Sequence, residues 1–361
     1  MNERQQRKLD HVRLAVAWQA GEAGWRRSCA GWEDVHLVND SLPELALDEV
    51  DLTTSVAGVP LRQPVLINAM TGGAAGVTAI NRDLAEVAAD LGLAMAMGSQ
   101  TAGLRDPAVV ESYRVVRQVN PGGIVLANLG SDATPEQARA AVEMLEADLL
   151  QIHLNAPQEL RMPEGDRDFR GRLEAIARIV GELPLPVIVK ECGFGISRET
   201  AALLYQAGVR AIDVSGRGGT NFAWIEDQRA GRTDADPGLQ EWGIPTACAL
   251  AEVAALGLQG LDLIASGGIR YGSEAAKALA LGASAVAVAG PVLTRLQSEG
   301  VCGARAYLEQ LLGDLRAAAL LTGAQSVAAL HHVPVVVTGR VAEWCRLRGV
   351  DLAGLANRSK P

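Results

Sequence analysis

Several short polar clusters in this chain carry residue types that bind anions or move protons. The densest is Gln151-Ile152-His153-Leu154-Asn155-Ala156-Pro157-Gln158-Glu159. His153 and Asn155 are two apart, so in an extended segment they share a face. A lone carboxylate such as Glu159 is too little for an all-protein cage around a hard cation, but it suits magnesium held mostly by water and substrate phosphates. The plainer alternative for Glu159 is a solvated loop acid. Lys190 ends the apolar run Val187–Lys190. A lysine there needs a partner, either an electron-rich carbonyl edge of a ligand or a carboxylate such as Glu191. Ser266-Gly267-Gly268-Ile269 and Ala289-Gly290 place glycines where backbone N–H groups can meet phosphate oxygens beside a helix N-terminus. They predict a phosphorylated cofactor or substrate; otherwise they are two tight turns. Near the start, Arg7-Lys8-Leu9-Asp10-His11 is basic over one helical turn. It reads either as a clamp on a diphosphate or as a solvated helix face.

These clusters need a frame. Eight short runs are apolar on both faces and bounded by Gly, Pro, Asp or Asn: Val65–Asn68, Ala94–Met97, Ile124–Ala127, Leu149–His153, Val187–Lys190, Ala211–Val214, Leu261–Ala265 and Ala285–Ala289. Doubly buried parallel strands have this pattern. Between them lie helical patterns at Thr78–Leu91, Pro135–Glu146, Arg198–Gln206 and Ser273–Leu281. Asp106, Thr134 and Ser197 are placed as N-caps, and Gly92, Gly208 and Gly282 as left-handed helix ends. Eight strands alternating with helices over roughly 250 residues predict an α/β fold, a (β/α)8 TIM barrel with an N-terminal helical extension. An open doubly wound sheet is the alternative. Domain boundaries are expected at 1–64 (an extension with a helix at about 6–20), 65–322 (the barrel) and 323–361 (a tail).

In a barrel, the residues just after each strand surround the active site. Here all eight are small or polar: Ala69-Met70-Thr71, Ser99-Gln100, Asn128, His153, Lys190, Ser215 to Thr220, Gly267-Gly268 and Ala289-Gly290. Two long connections, about 155–170 and 216–242, fall on this side, where lids and substrate contacts are built.

Composition narrows the function. The 361 residues include 33 basic and 42 acidic side chains, a net charge of −9, which argues against nucleic acid or an anionic membrane as partner. No apolar run approaches a membrane span, and the polar start shows no signal peptide. The five cysteines, Cys29, Cys192, Cys248, Cys302 and Cys345, are scattered and read as thiols of a cytoplasmic protein. His36, His331 and His332 have no metal-binding spacing.

The chain resembles the type 2 isopentenyl-diphosphate delta-isomerases. The matching stretches are RKLDH (7–11), HLVNDSLPEL (36–45), INAMTGG (67–73), MGSQ (97–100), ANLG (127–130) and QIHLNAPQE (151–159). They continue with PEGDRDF (163–169), VKECGFG (189–195), DVSGRGGTNFAWIE (213–226), WGIPTA (242–247), ASGGIRYG (265–272) and AGPVL (289–293). The resemblance implies FMN, Mg2+, NADPH as reductant, and interconversion of isopentenyl diphosphate and dimethylallyl diphosphate by proton transfer at N5 of the reduced flavin. It assigns FMN contacts to Ala69, Met70, Thr71, Ser99, Asn128, Lys190, Ser215, Thr220, Gly267, Gly268, Ala289 and Gly290. Substrate contacts fall on Arg7, Lys8, Ser99, Gln100, His153, Asn155 and Gln158, and the metal ligand on Glu159. Gln158, Lys190 and His153 are the expected catalytic groups. A homo-oligomer, tetramer or octamer, is also implied, with Val333–Val337 as a candidate interface. Asp10 stands where the family usually has Glu, and Thr101 where some members have Arg.

Three other functions compete. An FMN-dependent 2-hydroxy-acid oxidase needs a histidine base after strand six, but Arg217 stands there and cannot accept a proton. A non-catalytic flavin- or phosphate-binding protein leaves the convergence of His153, Asn155, Gln158 and Glu159 unexplained. A flavin-free phosphosugar aldolase would use Lys190 as a Schiff base.

Overall fold

The computed structural model describes residues 3–21 and 30–359. Eight parallel strands close into a barrel: β1 (Val65–Ile67), β2 (Ala94–Ala96), β3 (Val125–Gly130), β4 (Leu149–Leu154), β5 (Val187–Glu191), β6 (Ala211–Asp213), β7 (Asp262–Ser266) and β8 (Ala285–Val288). β8 pairs with β1 through Val286↔Val65, which closes the ring. The expected barrel is therefore observed, and the open sheet is excluded. Asp106, Thr134 and Ser197 accept backbone N–H bonds as N-caps. Gly92, Gly208 and Gly282 all have positive φ at helix ends.

Period-two alternation divides each strand between two cores. Val65, Ile67, Ala127, Leu129, Leu150 and Ile152 face the outer helices. Leu66, Leu126, Leu149, Ile188, Ala211 and Ile264 fill the barrel interior. A hairpin, Thr54–Val56 paired with Val59–Leu61, packs Val56 and Leu61 against that interior layer. It closes one end and leaves the C-terminal end of the strands for a site.

Helix α1 (Glu3–Ala20) precedes the barrel, as expected. The long connections are not plain loops. The first contains α2 (Ala156–Arg161) and the second α3 (Phe222–Arg229). After β8, α4 (Gly290–Leu321) starts at the strand end and is interrupted at Gly300. Val335–Val337 pairs antiparallel with Val35–Leu37 of the same chain, burying Val333 and Val335. One edge of this strand and its buried side chains are used within the chain. Helix α5 (Gly339–Leu347) follows, and Trp344 and Arg348 both donate to the buried Glu252 carboxylate at 3.0 Å. Among the described residues, no helix is long and apolar enough to cross a membrane. Cys29 lies outside the described residues; Cys192, Cys248, Cys302 and Cys345 are free.

Candidate functional site

A cleft enclosing about 860 Å3, its open mouth included, lies at the C-terminal ends of the strands. That is the size range of cofactor pockets. Ala69, Met70, Thr71, Lys190, Ser215, Thr220, Gly267, Gly268, Ala289 and Gly290 all line it. The structure thus brings these expected cofactor residues into one wall.

The glycine cradle is a requirement of the backbone. Gly267 and Gly268 have φ of 93° and 88°. A Cβ on Gly267 would lie 2.1 Å from the Gly216 carbonyl oxygen. Beside them, the N-terminus of α4 opens at Ala289-Gly290. Bare N–H groups and a helix N-terminus on one wall suit a phosphate. Lys190 Nζ donates to the backbone oxygen of Glu191 at 2.7 Å, not to its carboxylate. Burial opposes its charge, but Cys192, Asp213 and Glu191 outweigh that and hold its pKa above the usual lysine value. Burial raises Glu191 to about 8, and its carboxylate accepts from the Phe194 N–H instead. The phosphate cradle and a buried ammonium on one pocket wall fit FMN.

Helix α1 covers the cleft. His11, Val12, Ala15 and Gln19 line it from this side. Trp18 donates to the Gly219 carbonyl at 2.9 Å and packs 5.3 Å from Trp224. Asp10 accepts from Gln6 within the helix, and the polar bonds that tether α1 come from Arg7, His11 and Trp18.

Glu226 on α3 joins three elements. Its Oε1 is 2.8 Å from His11 Nε2 on α1 and accepts from Gln158 Nε2 on α2 at 2.9 Å. Arg229 binds its other oxygen. Burial alone would raise this carboxyl, but bonds from His11 and Gln158 and the Arg229 charge bring it down to about 2. Glu164 then bridges Arg229 at 3.0 Å and Arg7 at 3.2 Å. Lys8 is lowered to about 8 by burial and by Arg7. His153 is lowered to about 3 by burial, Lys190 and Lys8, so it is neutral. His153 therefore feels the charges of both Lys190 and Lys8.

Glu159 accepts from Asn155 Nδ2 at 2.8 Å and from the Asp166 N–H at 3.0 Å. No group of three or more His, Cys, Asp or Glu capable of holding a metal occurs among the described residues. One oriented carboxylate fits a magnesium ion whose remaining ligands are water and phosphate.

The cleft lining leaves out Arg7, Lys8, His153, Asn155, Gln158 and Glu159, and three further expected contacts are committed elsewhere. Gln100 is fully buried; its amide donates to the Ala141 carbonyl at 2.8 Å and accepts from the Asn128 N–H at 2.9 Å. Ser99 Oγ lies 3.1 Å from Thr101 Oγ1, outside the cleft lining. Asn128 lies in the barrel interior beneath the cleft, bonded to Gln151 and His153. The sequence reading also missed residues the site uses: His11, Gln19, Asn68, Ser266 and Glu226. His11 and Glu226 stood inside quoted motifs. Asn68 and Ser266 stood at inward-facing strand positions. Gln19 carried no signal.

A model of the FMN-dependent dehydrogenase family matches residues 153–336. Solved structures of mandelate oxidase share the fold. One variant bearing a monooxide FMN adduct superposes with a TM-score of 0.63 at 22% identity, covering 86% of this chain and 90% of that one. Another, with (S)-2-phenylpropionate, gives 0.64 at 22% identity over 86% and 88%. Sequence relatives agree with one another. An isopentenyl-diphosphate delta-isomerase from Symbiobacterium thermophilum is 79% identical over 100% of both chains. One from Moorella thermoacetica is 48% identical, covering 95% of this chain and 98% of its own. With the barrel, the phosphate cradle and full-length identity in agreement, the chain belongs to the FMN-dependent isopentenyl-diphosphate delta-isomerase family.

Proposed function

We propose that this protein interconverts isopentenyl diphosphate and dimethylallyl diphosphate, using FMN, Mg2+ and NADPH as the flavin's reductant, as a cytoplasmic homo-oligomer. The observation that carries the reading is the Glu226 cluster, which joins Gln158 and His11 beside a phosphate cradle.

Moving a double bond adds a proton at one carbon and removes one at another. The alkene offers side chains no group to polarise. Reduced FMN, when bound, supplies the proton-transfer chemistry at N5 that such an alkene requires. The chain's own residues bind and orient. Gly267, Gly268, Ala289 and Gly290 hold the cofactor phosphate. The Lys190 ammonium, fixed by the Glu191 carbonyl, would offset negative charge on a reduced flavin bound in the cleft. Arg7 and Lys8 meet the diphosphate, and His153 and Asn155 complete its site. Glu159 holds the magnesium ion. Gln158, held by the ionised Glu226, positions the alkene. Helix α1 excludes water from above.

Hydroxy-acid oxidation lacks its base. The guanidinium of Arg217 donates to the Glu241 carbonyl at 3.1 Å and offers no acceptor. The test is anaerobic incubation of the protein with FMN, NADPH, magnesium and isopentenyl diphosphate. Dimethylallyl diphosphate is expected with reduced flavin only. Equal turnover by the oxidised protein overturns the reduced-flavin mechanism.

A further inference from the structure

Two residues beyond the apolar barrel layer, the inward positions turn polar: Asn68, Asn128, Gln151, Lys190, Asp213 and Ser266. Asp213, Asn68, Gln151 and Asn128 are all at most 4% exposed. They form one hydrogen-bond chain across the barrel interior. Asn68 Nδ2 donates to Asp213 Oδ2 at 2.9 Å. Gln151 Nε2 donates to Asn68 Oδ1 at 3.4 Å, and Asn128 Nδ2 donates to Gln151 Oε1 at 3.2 Å. Asn128 Oδ1 then lies 2.8 Å from His153 Nδ1.

We infer that this chain fixes the tautomer of His153, with the proton on Nδ1 and Nε2 left as an acceptor at the substrate side. Asp213, Asn68, Gln151 and Asn128 are then positioning residues for the reaction. The direction of the chain is set at Asn68 by two independent groups. The Ala69 N–H, 2.9 Å from Oδ1, can only donate. The Asp213 carboxylate takes bonds from Ser266 Oγ at 2.7 Å and the Ser215 N–H at 3.1 Å on its other oxygen, so Oδ2 is left to receive Nδ2. Each primary amide has one accepting and one donating end. With Asn68 oriented, Gln151 must present its NH2 to it and its oxygen to Asn128. Asn128 must then turn its NH2 toward Gln151 and its oxygen toward His153. A neutral imidazole carries one proton, and the amide oxygen draws it to Nδ1. His153 is neutral because it is buried beside Lys190 on β5 and Lys8 on α1.

Gly130 lies beside Nε2: a Cβ there would come within 3.6 Å of that nitrogen and 2.6 Å of Asp132 Oδ1. If the diphosphate lies against His153, as in the function proposed above, Nε2 accepts from bound water. Bonding a phosphate oxygen directly would need a second proton on the ring. This consequence rests on the isomerase reading; the tautomer itself does not.

The test is a long-range 15N–1H NMR correlation on the FMN-loaded protein labelled at histidine, without substrate. The His153 signals are identified by their loss in His153→Gln. The expected pattern is that of a neutral ring protonated at Nδ1. Gln151→Leu frees Asn128 to turn, and the pattern should move to the average of both tautomers. Gln151→Glu keeps an acceptor toward Asn128 and should restore the Nδ1–H pattern. An Nε2–H pattern in the wild type overturns the inference, and so does an unchanged pattern in a folded Gln151→Leu. If that variant fails to fold, the wild-type spectrum decides alone. Because no substrate is present, failure here is separate from failure of the isomerase assay.

Discussion

Gln158 on α2 donates to the buried carboxylate of Glu226 on α3 at 2.9 Å, and the same Glu226 oxygen lies 2.8 Å from His11 on α1. Three segments far apart in sequence meet at one oxygen atom. Glu226→Gln removes the charge while keeping the shape. We expect kcat to fall by about two orders of magnitude, the cost of a misplaced reacting group, with FMN still bound. Steady-state kinetics with a flavin titration checks this. An unchanged kcat removes Glu226 from the reaction.

The same carboxylate sets an acid dependence of stability. Its folded pKa, about 2, is below the roughly 4.3 of an unfolded glutamate. The stability it contributes is therefore present above the unfolded value and is lost as pH falls through the folded one. The Tm gap between wild type and Glu226→Gln should narrow steadily as pH falls from about 5 toward 2.

Lys8 gives an alkaline limb. With a pKa near 8 in the free protein, its ammonium is present below that pH and lost above it. For a diphosphate substrate, kcat/KM should fall as pH rises through about 8. Lys8→Arg keeps its charge over the whole range and should remove the limb. A limb that survives this substitution belongs to another group.

Gly267 has no room for a side chain. A Cβ there would meet the Gly216 carbonyl oxygen at 2.1 Å, at a φ of 93°. Gly267→Ala should weaken FMN binding at least about tenfold, or roughly 1.4 kcal/mol. Equilibrium titration of the apoprotein with FMN measures it, and affinity within twofold of wild type contradicts the cradle.

Asp227, next to Glu226, is fully buried and holds Arg161 of α2 at 2.7 Å, with Arg232 and Gln240 also bound. Asp227→Ala strands the Arg161 guanidinium, which is only 14% exposed. The expected loss is about 3–5 kcal/mol, read from the urea midpoint. The magnesium requirement should rise as well, because α2 carries Glu159.

The barrel was legible because its strands are buried on both faces and read as unbroken apolar runs. The phosphate wall was legible too, because Gly267, Gly268 and Gly290 answer a purely local demand on the backbone. Partners across the barrel were not. Asn68, Gln151 and Asp213 show no relation in sequence, and only the closed ring brings them within hydrogen-bond distance. Gln100 looked like any polar strand end, yet it turns into the wall to satisfy backbone groups of Asn128 and Ala141. The two long connections hid α2 and α3, whose meeting depends on buried charges that no periodicity announces.

Pairing of Val35–Leu37 with Val335–Val337 spans almost the whole chain; the adjacent His36–Thr338 bond has a sequence separation of 302. Contacts this distant form late, because the intervening loop must first be closed by folding of the barrel. During synthesis, residues 35–37 emerge about 300 residues before their partner. The collar around the barrel is therefore a finishing step. A chain truncated before residue 335 would present an unpaired strand edge, open to association with other nascent chains.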